Sequence, residues 1–177
     1  MKRARKPKSF KERHKAISVD SGHLEGSWRG HFPVTSVAMM SLLDRLAAGE
    51  ENFSSAECAL FVACEFWSAF NAAELDVYFD LKAEDPTRDT RAALRIVGAV
   101  QVADVLDLAD LGPAGGRAAS RRRQRLLELA GTLQRIEEPV DLLIARFAWR
   151  YLSEQRRTID PAFRPPPDAL EPDQLNL

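Results

Sequence analysis

Apolar residues recur at helical spacing through the middle of this chain, and period-two alternation is sustained nowhere. Val37, Met40, Leu43 and Leu46 predict a helix with that inward face, capped by Thr35 or Ser36 and ended by Gly49. Ser54 and Glu57, three apart, mark the next start. The serine hydroxyl can take an exposed N–H of the first turn while the glutamate reaches back to the cap. That helix is expected to run through Phe61, Cys64 and Phe66 to about Phe70. A short helix over Leu75 to Leu81 follows, before the break at Asp85-Pro86. Thr87 or Asp89 opens another, Gly98 interrupts it, and Val102, Val105, Leu106 and Ala109 form the inward stripe of its successor, which Gly112 and Pro113 stop. Beyond the loose Gly112 to Gly116 linker, Leu126, Leu127, Leu129, Ala130 and Leu133 mark an amphipathic helix. Pro139 suits the first turn of a final one through Leu152.

These elements predict an all-α fold, a compact single-domain multi-helix bundle over 34–155. Residues 1–16 have no period and read as a disordered basic arm. Residues 17–33 set Trp28 and Phe32 among Gly22, Gly26, Gly30 and Pro33, which suits an irregular segment wrapped on the domain. Residues 156–177 contain Pro161 and Pro165-Pro166-Pro167 and read as an extended Pro-rich tail. With 177 residues, 45% of them hydrophobic, one real core is within reach. No apolar leader and no run of about 18 apolar residues is present, so neither export nor membrane spanning is expected. A cytoplasmic location follows. Cys58 and Cys64, six apart on one predicted helix, point about 120° apart around it, which argues against a mutual disulfide.

Formal charge is only -1, yet it is unevenly spread: +6 over 1–43, -9 over 44–111, +5 over 112–157 and -3 over 158–177. Two candidate surfaces come from this. In the acidic block, Asp104, Asp107 and Asp110 stand three apart in a slanting row that can stand in for backbone phosphates, with Glu74, Asp76 and Asp80 adding charge nearby. The alternative is an ordinary solvated face. In the basic blocks, Lys2, Arg3, Arg5, Lys6 and Lys8 of the arm, with Arg121, Arg122, Arg123 and Arg125, can neutralise phosphates without sequence preference. The arginine cluster opens a helix, where the macrodipole opposes positive charge, so a counter-charge is expected: an acidic patch of the same fold, a second subunit, or nucleic acid.

Catalytic ingredients are sparse. Residues 34–155 contain no histidine, and Glu57 and Glu65, eight apart on nearly one side of a helix, read as a capping and a solvated glutamate. The glycines at 112–116 precede no Lys-Ser or Lys-Thr pair, so they make no phosphate loop. His14, His23 and His31 have no metal-ligand spacing, and the cysteines form no CxxC. No catalytic residue, metal or cofactor is assigned. The expectation is a protein that is not an enzyme; an enzyme without a recognisable motif is the alternative.

Two patches carry a resemblance. Phe66-Trp67-Ser68-Ala69-Phe70-Asn71-Ala72-Ala73-Glu74-Leu75-Asp76-Val77-Tyr78-Phe79 and Ala93-Leu94-Arg95-Ile96-Val97-Gly98-Ala99, with Ala103 and Ala109 beyond, resemble a helical domain of unknown function typified by a bacterial DNA-mimic protein. That family has an Asn-Gly-Gly-Phe-x-Gln-Tyr-Phe segment before an Ala-Leu-x-x-Ile-Gly-Ala segment. Asn71, Tyr78, Phe79, Ala93, Leu94, Gly98 and Ala99 match; the glycine pair falls on Ala73-Glu74, the phenylalanine on Leu75 and the glutamine on Val77. The resemblance implies a compact helical fold and an acidic face that occupies a transcription regulator's DNA-binding surface. Separately, Gln124-Arg125-Leu126-Leu127-Glu128-Leu129 is similar to the Gln-x-x-Leu-x-Leu peptide of bacterial sliding-clamp ligands, which bind extended. The expected function is therefore a regulatory, protein-interaction module whose partner is another protein, a DNA-binding regulator or a replication protein. Weak DNA binding through the basic residues is the alternative, and a homodimer is open.

Overall fold

The computed structural model describes residues 33–81, 86–109, 111 and 119–159. Among them are seven helices and no strand: α1 (Pro33–Ala47), α2 (Ser55–Asn71), α3 (Leu75–Leu81), α4 (Pro86–Val97), α5 (Val100–Leu108), α6 (Ala119–Leu133) and α7 (Val140–Ile159). The arm 1–16, nearly all of 17–33, the three histidines, Asp110, the 112–118 linker and the tail from 160 lie outside the described residues.

Helix α2 is the centre of the bundle and packs against α1, α3, α4 and α7. Its sequence explains that position. Ala59 to Phe66 are buried without interruption, and a helix covered on every side must lie inside. Its N-terminus has the expected capping box: the Glu57 amide donates to Ser54 Oγ at 3.2 Å and the Ser54 amide to Glu57 Oε2 at 2.6 Å. Phe66 meets Tyr78 and Phe79 edge-on, with centroids at 5.6 and 6.3 Å, so α3 seats its aromatic pair against α2. The Tyr78 and Thr90 hydroxyls, 2.6 Å apart, tie α3 to α4 within the core. Leu94 and Val97 of α4, Val102, Ala103 and Leu106 of α5, and Leu126, Leu129 and Leu133 of α6 complete the same apolar cluster.

Four expectations are corrected. Helix α1 turns Thr35, Ala38, Met39 and Leu42 inward, leaving Val37 and Met40 exposed. Arg45 explains the rotation, because Ala38, Leu42 and Arg45 share one face and Arg45 reaches Glu57 on α2. Glu65 is buried rather than solvated, since it sits two turns beyond Glu57 on a helix with no outer side. Leu127 is 66% exposed, because α6 buries only one narrow stripe. Finally, α7 continues to Ile159, so the expected tail begins inside a helix.

Candidate interaction surface

The acidic row reads differently once folded. Helices α4 and α5 are joined through Gly98, and the hairpin brings Arg91 and Arg95 alongside the described members of the row. Arg95 Nη2 donates to Asp104 Oδ1 at 2.7 Å and to Asp107 Oδ2 at 2.5 Å, while Arg91 pairs with the other Asp107 oxygen. The Asp104 and Asp107 carboxylates push the Arg95 pKa upward. Asp104 and Asp107 thus form a clasp between consecutive helices, with their counter-charge from α4 rather than from 121–125. Such exposed pairs add little stability, but they do cancel charge. Glu74 and Asp76 are exposed at the start of α3, where Asp76 Oδ1 accepts the Val77 amide at 2.9 Å.

Asp80 belongs to the basic cluster's account. Arg122 is buried: its Nε donates to Asp80 Oδ1 at 3.1 Å and its Nη2 to the Phe79 carbonyl at 3.2 Å. A cation at the C-terminal end of α3 satisfies a last-turn carbonyl and suits the dipole there. Arg122 is therefore withdrawn from any nucleic-acid surface. The counter-charge expected for the cluster comes, for this arginine, from the same fold.

The rest of the cluster points elsewhere. Buried positions on α6 are Arg122, Leu126, Leu129 and Leu133, a stripe spaced four, three and four. Arg121, Arg123, Gln124, Arg125, Leu127 and Glu128 are all exposed. Around the helix Arg123 and Leu127 lie about 40° apart, with Gln124, Glu128 and Arg121 following across the outer side. No acidic residue occupies the first turn of α6, and Arg121 and Arg123 have no ion-pair partner among the described residues. The clamp-like Gln124 to Leu129 segment is helical with Leu126 and Leu129 in the core, so it cannot bind as an extended peptide without unfolding α6.

A third cluster gave only its capping glutamate away in the sequence. Glu57 Oε1 accepts from Arg45 Nη1, from Tyr151 Oη at 2.8 Å and from Gln155 Nε2 at 3.5 Å. Arg45 also holds Glu50 through two nitrogens and lies over the Phe53 ring, 5.1 Å from its centroid. Burial and Glu57 push the Tyr151 phenol up, so Tyr151 remains a donor.

Cys64 is buried and its thiol is pushed up by burial and then by Glu65 and Asp141, which makes it a poor thiolate source. Cys58 and Cys64 are not bonded to each other. Among the described residues no His, Cys, Asp and Glu side chains group to hold a metal, and no helix is long and apolar enough to cross a membrane. Comparisons with protein families, with curated proteins and with solved structures find no match to this chain.

Proposed function

We propose that this chain is a non-catalytic interaction module that engages another protein through the outer face of α6. The supporting observation is Leu127, 66% exposed beside Arg123 on a helix whose inner stripe is already satisfied. Arginine is enriched at protein-binding hot spots, and burying a leucine beside it contributes roughly 1.5–3 kcal/mol that a phosphate backbone cannot supply. Positive charge at the dipole-positive end of α6 favours an acidic partner surface. Asp104 and Asp107, held by Arg91 and Arg95, have less charge to offer as a DNA mimic.

The test is affinity capture from a cell lysate with wild type, Leu127→Asp, the double variant Arg121→Glu/Arg123→Glu, and Asp104→Asn/Asp107→Asn. Expected is loss of one protein partner with the first two variants, unchanged capture with the third, and insensitivity to nuclease. Capture that survives both α6 variants, or that depends on the aspartates, rejects this surface. Nuclease-sensitive capture, lost with the arginines but not with Leu127→Asp, favours instead nucleic-acid association through Arg121 and Arg123.

A further inference from the structure

Glu57 lies where three helices meet, and each contributes polar contacts rather than only packing. From α1 comes Arg45, from the following turn Glu50 and Ser54, and from α7 Tyr151 and Gln155. Arg45 Nη1 also reaches Tyr151 Oη at 3.2 Å, and Gln155 Nε2 donates to the same hydroxyl at 2.5 Å, so α1 and α7 are linked through this one carboxylate and the phenol beside it. Elsewhere the bundle is joined differently. The α2–α4 seam is apolar, with Ala59, Val62 and Ala93 together, and the α4–α5 pair shares Leu94, Val97, Val102 and Leu106 beneath its exposed ion pairs.

We propose that Glu57 is a proton-released clasp that fastens α1 and the C-terminal half of α7 to the start of α2, so that this corner opens on acidification while α4 and α5 stay packed. The charged and titratable groups facing it are Arg45 on α1, Glu50 in the turn and Tyr151 on α7. Burial works to raise the Glu57 pKa, but Arg45, the Ser54 amide and Tyr151 outweigh it and hold the carboxyl below its ordinary range. Arg45 likewise lowers Glu50. A depressed carboxyl stabilises the fold above its unfolded pKa and loses that contribution as pH falls through the folded value. Protonation removes the charge that Arg45 pairs with and turns one carboxyl oxygen into an O–H donor, which weakens the set of contacts from Arg45, Ser54, Tyr151 and Gln155.

Amide hydrogen exchange of the full chain from neutral to acid pH, corrected for intrinsic rates, reads the opening helix by helix. Wild type is expected to lose at least tenfold protection in 33–47 and 150–159 on acidification, before 86–108 changes. Glu57→Gln should show that pattern already at neutral pH. Tyr151→Phe keeps the ring and the ionised carboxylate but removes a donor, so its acid midpoint should move up. An even loss of protection over all helices in acid, or a Tyr151→Phe midpoint equal to wild type, overturns the clasp; both readings stand even where Glu57→Gln does not fold.

Discussion

Replacing Ala73 by glycine is expected to stabilise this protein, although it removes a methyl group. Helices α1, α2 and α4 end with one hydrogen-bond pattern. Gly49, Ala73 and Gly98 donate to Leu46, Phe70 and Arg95 at 3.1, 3.1 and 3.2 Å, and the residues after them, Glu50, Glu74 and Ala99, reach back to Arg45, Ala69 and Leu94. This closure needs a left-handed residue. The three φ values are +87° at Gly49, +59° at Ala73 and +94° at Gly98, so alanine occupies one site of three where glycine is the usual solution. Left-handed backbone costs an L-residue roughly 1–2 kcal/mol, and glycine returns about 0.5–1 of that as extra unfolded-state entropy. Ala73 is exposed, so no packing is lost. The net gain should be about 0.5–1 kcal/mol, or roughly 1–4 °C in Tm. Urea unfolding followed by circular dichroism measures it. The reverse change is the control: a Cβ on Gly98 would meet only Leu143 Cδ2 at 3.8 Å, an ordinary contact, so Gly98→Ala should destabilise by the backbone term alone. Ala73→Gly with unchanged or lower stability would refute the assignment of strain.

Glu138→Ala should cost about 1–2 kcal/mol by urea unfolding, because its two oxygens accept the Gln101 and Val102 amides at 3.1 and 3.0 Å and no side chain at Ala99 caps α5. Glu138→Gln, which keeps one acceptor, should cost less. Arg122→Ala should destabilise by roughly 1–3 kcal/mol through the stranded Phe79 carbonyl, whereas Arg121→Ala and Arg123→Ala should stay within about 0.5 kcal/mol. If all three arginines behave alike, Arg122 is not the staple described.

Local chemistry made most helices legible. Ser54 with Glu57, Gly49, Gly98 and the short run from Leu75 to Leu81 each define an end or a length by rules within one turn, and each agrees with the structure. Faces were harder to read. On α1, Val37 and Met40 make as good an apolar stripe as Ala38, Met39 and Leu42, and the choice is made by Arg45 meeting a carboxylate twelve residues away. The partners of Arg122, Asp104 and Glu138 are likewise tertiary: Glu138 caps a helix that begins 38 positions earlier, and no spacing rule within a helix connects them.

Among the described residues several ion pairs join helices of opposite charge, and the charges outside those pairs decide where a partner can act. Arg91 and Arg95 meet Asp104 and Asp107 across α4 and α5, Arg122 meets Asp80 across α6 and α3, and Arg45 meets Glu50 and Glu57 beside α7. Arg45, Arg91 and Arg95 are already counted in the block sum of -9, so their pairs localise that charge without reducing it, and Arg122, from outside the block, offsets one of the nine at Asp80. On α6 the balance runs the other way, because folding withdraws one arginine and leaves Arg121 and Arg123 outside with an exposed leucine between their faces. Rim charges act mainly on association rate and its salt dependence, while a buried apolar anchor acts on dissociation. Arg121→Glu/Arg123→Glu should accordingly slow capture most at low salt, and Leu127→Asp should shorten the complex's lifetime at every salt concentration. Surface plasmon resonance separates the two, and equal salt dependence for both variants would contradict an anchor ringed by charge.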